Sequence, residues 1–162
     1  MRSLLLIAAI ALLFPALPAS ADSLSYDAGV GFHFSSGSTV NLLRYQREAR
    51  PLFGYSGYYE AMYTSWNGPD NAKAVGLARG IRLATTDNQY LSLTGGLSHI
   101  NRTTSNLGQP FEFYGRVAYG IRVGKAIFSI GYVHFSDGKL FFGWSGPNYG
   151  ENFVTLSLGM SF

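Results

Sequence analysis

Apolar side chains recur at every second position along most of the chain after Ala21. Side chains alternate between the two faces of an extended strand, so this period predicts strands with one apolar and one polar face. Gly, Thr, Ser and aromatic residues interrupt every 3.6-residue pattern, which argues against helices in this part of the chain. The predicted strands run approximately over Leu24–Phe34, Thr39–Glu48, Phe53–Trp66, Lys73–Thr85, Gln89–Ile100, Phe111–Val123, Ala126–Ser136 and Asn152–Phe162.

Alternation alone does not distinguish a soluble sandwich from a membrane barrel, but three further features do. The predicted connections alternate between short and long, as periplasmic turns and outer loops do in outer-membrane barrels. An even number of strands allows the sheet to close with both ends of the chain on one side. The last residue, Phe162, lies on the apolar face. We therefore expect an all-β fold, an eight-stranded antiparallel transmembrane β-barrel of the bacterial outer membrane.

The polar faces of the predicted strands carry charges of both signs. Side chains fill the interior of an eight-stranded barrel, and a buried charge is costly unless it is paired. The sequence therefore predicts an interior network of acids and arginines rather than a channel. Its expected members are Asp27, Glu60, Arg82, Glu112, Arg116 and Arg122. The aromatic residues expected to form girdles at the membrane interfaces are Tyr55, Tyr59, Tyr63, Trp66, Tyr90 and Tyr119.

Residues 1–21 have the pattern of a secretory signal peptide. Arg2 gives a positive start, Leu4–Leu13 is a short apolar run, and Ala19-Ser20-Ala21 is a small-residue cleavage site. The apolar run is too short to span a bilayer as a helix. We expect a protein exported from the cytoplasm, with residues 22–162 forming a single barrel domain.

Composition excludes several classes of function. The chain has no cysteine, so it has no disulfide framework. Its 12 basic and 9 acidic residues nearly balance, which gives no reason to expect a nucleic-acid partner. No Gly-rich phosphate loop, dinucleotide fingerprint or metal-spaced His/Cys cluster is present in the sequence. We therefore expect neither a cofactor nor a metal ion.

The end of the seventh predicted strand carries the candidate site. His134 and Ser136 share a face with Phe128, Ile130 and Tyr132, which suits a serine nucleophile and its general base set against an apolar substrate. With the N-terminus in the periplasm, this pair lies on the lipid face at the depth of the outer leaflet. The plainer alternative is a polar residue at the rim followed by a serine that starts a loop.

The other two histidines lack this setting. His33 is expected to point inward, and His99 has no hydroxyl residue two positions away.

The C-terminal part of the chain resembles the PagL family of outer-membrane lipid A 3-O-deacylases. That family reads His-x-Ser-Asn at the end of a strand and then Pro-Asn-x-Gly, and the matching residues here are His134, Ser136, Asp137, Pro147, Asn148 and Gly150. Weaker similarity covers Tyr63-x-x-Trp66, Asn106-Leu107-Gly108 and Phe111-x-Phe113-x-x-Arg116. The resemblance implies that Ser136 is the nucleophile, that His134 is the general base, and that the reaction hydrolyses an ester-linked acyl chain of lipid A.

Two features depart from the family pattern. The loop between Ser136 and Pro147 is longer, and Asp137 stands where the family has asparagine. An asparagine amide can donate a hydrogen bond to a developing oxyanion, whereas a carboxylate repels one. Activity would suffer if the oxyanion site used this side chain, and would survive if backbone amides near Gly138 served instead.

The third member of the catalytic group has two candidates. Register puts Asn152 on the lipid face, and the family's acid or amide lies two residues after the glycine, which is also Asn152. Glu151 is the better chemical partner for a histidine, but it points inward unless a bulge turns it outward. The geometry favours Asn152.

The resemblance also suggests contacts to the phosphates of lipid A. The outer loops offer Arg102 and Lys139, of which the arginine can clamp a phosphate with two hydrogen bonds. Two other functions compete with deacylation: an inactive structural or adhesive barrel of the same fold, favoured by Asp137 and the longer loop, and another lipid-modifying barrel such as an acyltransferase. The sequence leaves open which acyl chain is removed, whether divalent cations assist, and whether the protein forms a homodimer.

Overall fold

A computed structural model describes residues 22–137, 143 and 146–162. Its strands are β1 (Ser23–Gly31), β2 (Thr39–Leu52), β3 (Tyr55–Asn67), β4 (Ala72–Ala84), β5 (Gln89–Ile100), β6 (Phe111–Val123), β7 (Ala126–Ser136) and β8 (Glu151–Ser161). The predicted signal peptide, Gly138 and Lys139 lie outside the described residues. No helix within the described ranges is long and apolar enough to cross a membrane.

The eight strands form one closed antiparallel barrel. Each strand pairs with its neighbours in the sequence, and β1 also pairs with β8, with Ser23 opposite Ser161. The ends of the barrel domain therefore lie side by side, at the same end as connections 53–54, 85–88 and 124–125. Connections 32–38, 68–71 and 101–110 lie at the opposite end, together with the end of β7 and the start of β8, and we call this end the distal end.

The distribution of polarity is the reverse of that in a soluble protein. Outward side chains such as Leu156 (67% exposed) and Val30 (60%) are apolar, whereas inward ones such as Asp27 (0%) and Arg116 (3%) are charged. A continuous apolar outer surface is stable only in contact with lipid. This arrangement confirms the predicted transmembrane barrel.

Paired charges fill the middle of the barrel. Arg44 forms ion pairs with Asp27 (Nη2–Oδ1, 2.8 Å) and with Glu60 (Nη1–Oε2, 3.2 Å). Arg116 reaches the other oxygen of Asp27 at 3.3 Å. Arg82 donates to Gln46 Oε1 at 2.6 Å. Pairing offsets the cost of burying these charges, so the predicted network is present around Asp27, Glu60 and Arg116. The predicted member Glu112 is buried as well, but its carboxylate oxygens have no hydrogen-bond partner among the described residues.

Aromatic side chains close the interior nearer the distal end. Trp66 packs against Phe135 and Phe153, with ring centroids 5.3 and 6.1 Å apart, and Tyr114 packs against Phe135 at 5.5 Å. The expectation that Trp66 joins an interfacial girdle is wrong. Trp66 lies three residues after Tyr63, and an odd separation along a strand puts the two side chains on opposite faces.

Tyr90 also differs from the expected girdle. It lies inside the barrel beside the guanidinium groups of Arg82 and Arg122, which are 5.8 and 5.4 Å from its ring centroid. Tyr90 precedes the outward Leu91 and therefore lies on the inward face of β5, where cation–π attraction to the two arginines stabilises it.

Strand β1 ends earlier than predicted. The strand ends at Gly31, and a 3-10 turn, His33–Ser35, follows it. His33 has a φ of 56° and is exposed, so the expectation that it points inward is wrong. The turn folds back so closely that a Cβ at position 31 would collide with the Ser35 carbonyl, which is why glycine ends the strand.

Candidate active site

The β7–β8 pair brings the predicted catalytic residues together at the distal end. His134 and Ser136 lie on the outward face of β7 and are half-buried, whereas the intervening Phe135 is fully buried in the interior. His134 is directly opposite Asn152 on β8. Two adjacent strands therefore supply a hydroxyl, an imidazole and an amide on one outward surface.

Three hydrogen bonds determine the orientation of the Asn152 amide. Its Oδ1 lies 2.9 Å from His134 Nδ1 and accepts a hydrogen bond from the Tyr132 hydroxyl at 2.7 Å. Its Nδ2 donates to the Gly150 carbonyl at 3.3 Å. Because an amide oxygen only accepts hydrogen bonds, His134 must carry its proton on Nδ1. Nε2 then has the free lone pair that a general base requires.

Sequence analysis did not assign a role to Tyr132, although it lies two residues before His134 on the same face. The ring planes of Tyr132 and His134 are inclined by only 20°, with centroids 6.3 Å apart. The two-residue period of the strand would therefore have predicted Tyr132 as a neighbour of His134.

Gly150 fits against the edge of the imidazole. Its φ is +77°, a conformation that disfavours residues with a Cβ. A Cβ built at this position would lie 2.6 Å from His134 Cε1. Glycine therefore serves two purposes here, since it permits the turn into β8 and leaves room for His134.

Ser136 is held by the loop that follows it. Its Oγ donates to Asn148 Oδ1 at 3.2 Å, and the backbone N–H of Asp137 donates to the same oxygen at 3.2 Å. Among the described residues, Ser136 forms no hydrogen bond with His134. The hydroxyl must therefore turn from Asn148 toward the imidazole before His134 can deprotonate it.

The β5–β6 connection supports this loop from the side. Leu107 forms a β-bridge with Asn148, and the backbone N–H of Gly108 donates to the Pro147 carbonyl at 3.0 Å. The N–H of Tyr149 donates to the Asn106 carbonyl at 3.0 Å. Residues far apart in the sequence thus position Asn148 beside Ser136.

Glu151, the alternative partner for His134, points into the barrel and is 2% exposed. Its carboxylate accepts hydrogen bonds from Ser35 Oγ at 2.5 Å, Thr104 Oγ1 at 3.1 Å and Asn106 Nδ2 at 3.2 Å. Strand β8 begins at Glu151 without the bulge that would turn this side chain outward. Asn152 is therefore the residue in contact with His134.

Comparison with known proteins identifies the family. A family model described as Lipid A 3-O-deacylase (PagL) matches residues 39–161, from the first residue of β2 to the last residue of β8. This chain belongs to the PagL family. A comparison with curated protein sequences gives no match.

Solved structures with the same fold include the outer membrane enzyme PagL itself. That crystal structure has 19% identity and a TM-score of 0.64, and the alignment covers 85% of this chain and 98% of PagL. A de novo designed transmembrane β-barrel has 7% identity and a TM-score of 0.61, covering 91% and 100%. The Yersinia pestis outer membrane protein Ail has 12% identity and a TM-score of 0.56, covering 89% and 100%. At these identities the structures establish the shared barrel fold.

Asp137, which stands where the PagL-family pattern has asparagine, directs its side chain into the barrel. It follows Ser136, so its side chain turns inward and is 1% exposed. Asp137 lies two residues after Phe135, which is fully buried in the interior, so the two side chains are on the same side of the barrel wall. The Asp137 carboxylate is therefore separated from the outward surface that carries Ser136.

Arg102, one of the two predicted phosphate contacts, lies in the β5–β6 connection at the distal end. Arg102 is exposed and donates from Nε to the Asn71 carbonyl in the β3–β4 connection. Two hydrogen bonds from Ser105, and to a lesser extent the Arg102 charge, lower the pKa of neighbouring Asp70. Arg102 therefore contacts the β3–β4 side of the rim. Lys139 lies outside the described residues, and within those residues no group of three His, Cys, Asp or Glu side chains is arranged to hold a metal ion.

Proposed function

We propose that this PagL-family protein is a serine-type hydrolase that removes an ester-linked acyl chain from lipid A. Ser136 is the nucleophile, His134 is the general base, and Asn152 orients the imidazole. The observation that carries this proposal is the 2.9 Å contact between His134 Nδ1 and Asn152 Oδ1, on the outward face that also carries Ser136.

The reaction begins when His134 Nε2 takes the proton of Ser136 Oγ. The oxygen attacks the ester carbonyl and forms a tetrahedral intermediate. The C–O bond to the sugar then breaks, and the imidazolium returns its proton to the departing sugar hydroxyl. Water attacks the acyl-Ser136 ester with His134 again as base, which releases the fatty acid and restores the serine.

Asn152 supplies part of what an aspartate supplies in a Ser-His-Asp triad. It holds the imidazole in the tautomer with the proton on Nδ1, as Asn does in Cys-His-Asn proteases. Its amide is neutral, so it stabilises the developing imidazolium less than a carboxylate does. The Tyr132 hydroxyl and the Gly150 carbonyl keep the amide from reversing, which preserves the orientation.

Asn148 is suited to stabilise the oxyanion. Its Oδ1 is occupied by Ser136 and Asp137, whereas its Nδ2 makes no hydrogen bond within the described part of the chain. An amide donor beside the nucleophile can bind the negative charge that develops on the carbonyl oxygen. Because the Asp137 side chain is buried, its charge is poorly placed to repel that oxyanion.

The location of the site suits a substrate that is already in the membrane. With the termini in the periplasm, the distal end lies at the outer leaflet, where lipid A resides. Exposed apolar residues of β7 and β8, including Ile130 and Val154, lie on the same outward face as His134. The acyl chains of lipid A can lie against them while the ester reaches Ser136.

The described part of the interior offers little support for an acyltransferase with an acyl pocket inside the barrel. One interior cavity, lined by polar and charged side chains including Arg44 and Arg116, has a volume of about 10 Å³. That is room for a single water molecule.

Release of hydroxy fatty acid from lipopolysaccharide by the purified protein in detergent tests the proposal. Wild type should release it, and Ser136→Ala should not, because alanine removes only the nucleophilic oxygen. His134→Asn should lose nearly as much activity, and the double variant should be no worse, since the two residues act as a unit. Equal turnover by wild type and correctly folded Ser136→Ala would refute the mechanism. No release by wild type would favour a structural or adhesive barrel.

A further inference from the structure

Glu151 is a fully buried carboxylate that lies behind the candidate site, on the opposite face of β8 from Asn152. We propose that Glu151 is a positioning residue, which holds both the orienting amide of Asn152 and the loop that contacts Ser136. The inference rests on the proposed function, because it assigns Glu151 a role in that reaction without contact to the substrate or to His134.

The first connection runs through Ser35 to Asn152. Glu151 Oε2 accepts the Ser35 hydroxyl at 2.5 Å, and Ser35 Oγ in turn accepts the backbone N–H of Asn152 at 2.8 Å. Ser35 is 2% exposed and belongs to the 3-10 turn after β1. Glu151 therefore orients the Ser35 hydroxyl, and this hydroxyl holds the backbone of Asn152. Asn152 is the residue whose side-chain amide contacts His134.

The second connection runs through the β5–β6 connection to Asn148. Glu151 Oε1 accepts Thr104 Oγ1 at 3.1 Å and Asn106 Nδ2 at 3.2 Å. Thr104 Oγ1 accepts the backbone N–H of Leu107 at 3.1 Å, and Leu107 bridges to Asn148. The residue that holds the Ser136 hydroxyl therefore depends on the same carboxylate.

The hydrogen-bond pattern requires an acceptor at both oxygens of residue 151. Its partners Ser35, Thr104 and Asn106 all act as donors, and the two hydroxyl oxygens already accept backbone N–H groups. A carboxylate accepts at both oxygens, whereas a glutamine amide has one acceptor and one donor. Asn106 Nδ2 can only donate, so in Glu151→Gln the amide oxygen stays toward Asn106 and the new NH2 group faces Ser35. The Ser35 hydroxyl then loses its carboxylate acceptor and holds the Asn152 backbone less firmly.

Glu112→Gln is a matched control. Glu112 is also a buried carboxylate facing the interior near the distal end, and neither of its oxygens has a hydrogen-bond partner among the described residues. Both substitutions replace a buried carboxyl group with an amide of nearly the same shape in the same region. Only Glu151→Gln disturbs the connection to Asn152.

The experiment measures the rate and the extent of Ser136 labelling by a fluorophosphonate, together with lipopolysaccharide deacylation. We expect Glu151→Gln to lower the labelling rate constant and kcat about tenfold or more, with the KM for lipopolysaccharide nearly unchanged, because a hydrogen bond to a charged group is lost. Labelling should still reach one fluorophosphonate per folded protein. Ser35→Ala should lower both rates in the same direction and add little in the Glu151→Gln background, and Glu112→Gln should match wild type.

A purely structural role would instead lower the labelled fraction while leaving the rate constant of the remaining folded protein unchanged, and that result would overturn the proposal. Wild-type rates in Glu151→Gln would also overturn it. Hydrogen exchange of the peptide around Asn152 provides a test that does not need activity: protection should fall in Glu151→Gln and Ser35→Ala but not in Glu112→Gln. If the wild-type protein neither reacts with the fluorophosphonate nor deacylates lipopolysaccharide, the proposed function fails. Unchanged hydrogen-exchange protection around Asn152 in Glu151→Gln would refute the positioning role of Glu151 independently of activity.

Discussion

Replacing Gly150 with alanine should disable the site with only a small loss of stability. The new Cβ would lie 2.6 Å from His134 Cε1, whereas ordinary contact begins at 3.4 Å, so the imidazole or the loop must move by about 0.8 Å. The nearest alternative contact, the Phe135 carbonyl at 3.1 Å, is backbone and gives way less easily. The structure therefore predicts that His134 is the group displaced.

Two magnitudes follow from this geometry. A misplacement of about 1 Å at a catalytic group costs about 10²-fold in rate, and deacylation should fall by that factor. A residue with a Cβ in the left-handed region costs about 1–2 kcal/mol, and that is the expected loss in the free energy of unfolding, since φ is +77°.

Gly124→Ala separates these two effects. Gly124 also has a positive φ, +59°, but lies in the β6–β7 turn with nothing within 4 Å of an added Cβ. It should lose a similar amount of stability and keep its activity. Both variants would be compared by urea unfolding in lipid vesicles and by the rate of fatty acid release. Equal deacylation rates in the two variants would refute the close fit between Gly150 and His134.

Three further substitutions test separate parts of the structure. Asp137→Asn should change the deacylation rate little, because the side chain is buried away from Ser136, and a large increase would show that it reaches the oxyanion. Asn148→Asp keeps the oxygen that holds Ser136 but removes the amide donor, and it should lower kcat by about 10²-fold; wild-type kcat would exclude an oxyanion role. Leu156→Arg should lower the free energy of unfolding in vesicles by about 2–4 kcal/mol if the residue lies near the bilayer midplane, and no loss would contradict its contact with lipid.

The barrel was predictable because each strand has one lipid face and one interior face. A period of two places every residue on one face or the other, so the exposed Leu156 and the buried Arg116 both follow from the sequence. The same rule placed His134 and Ser136 on the outward face. Interior pairing of charges followed as well, since Asp27 cannot be buried alone without a large cost.

One error arose where a strand ends, and another arose where residue type was followed instead of the two-residue period. His33 was assigned an inward direction by extending the β1 period, but the strand stops at Gly31 and the turn reverses that direction. Trp66 was grouped with outward aromatic residues by its type, although its position in β3 makes it an interior residue. Strand ends depend on contacts from other loops, which a local pattern does not contain.

The sequence by itself determined the barrel, the outward His134–Ser136 pair and the similarity to the PagL family, because alternation and short motifs are local properties. Only the tertiary structure shows which groups form hydrogen bonds around that pair. The proton position on His134 follows from an amide held by Tyr132 and Gly150, and the role proposed for Glu151 rests on donors in the β1–β2 and β5–β6 connections. A hydrogen bond has a direction only when both partners are placed, and these partners meet only after the barrel closes.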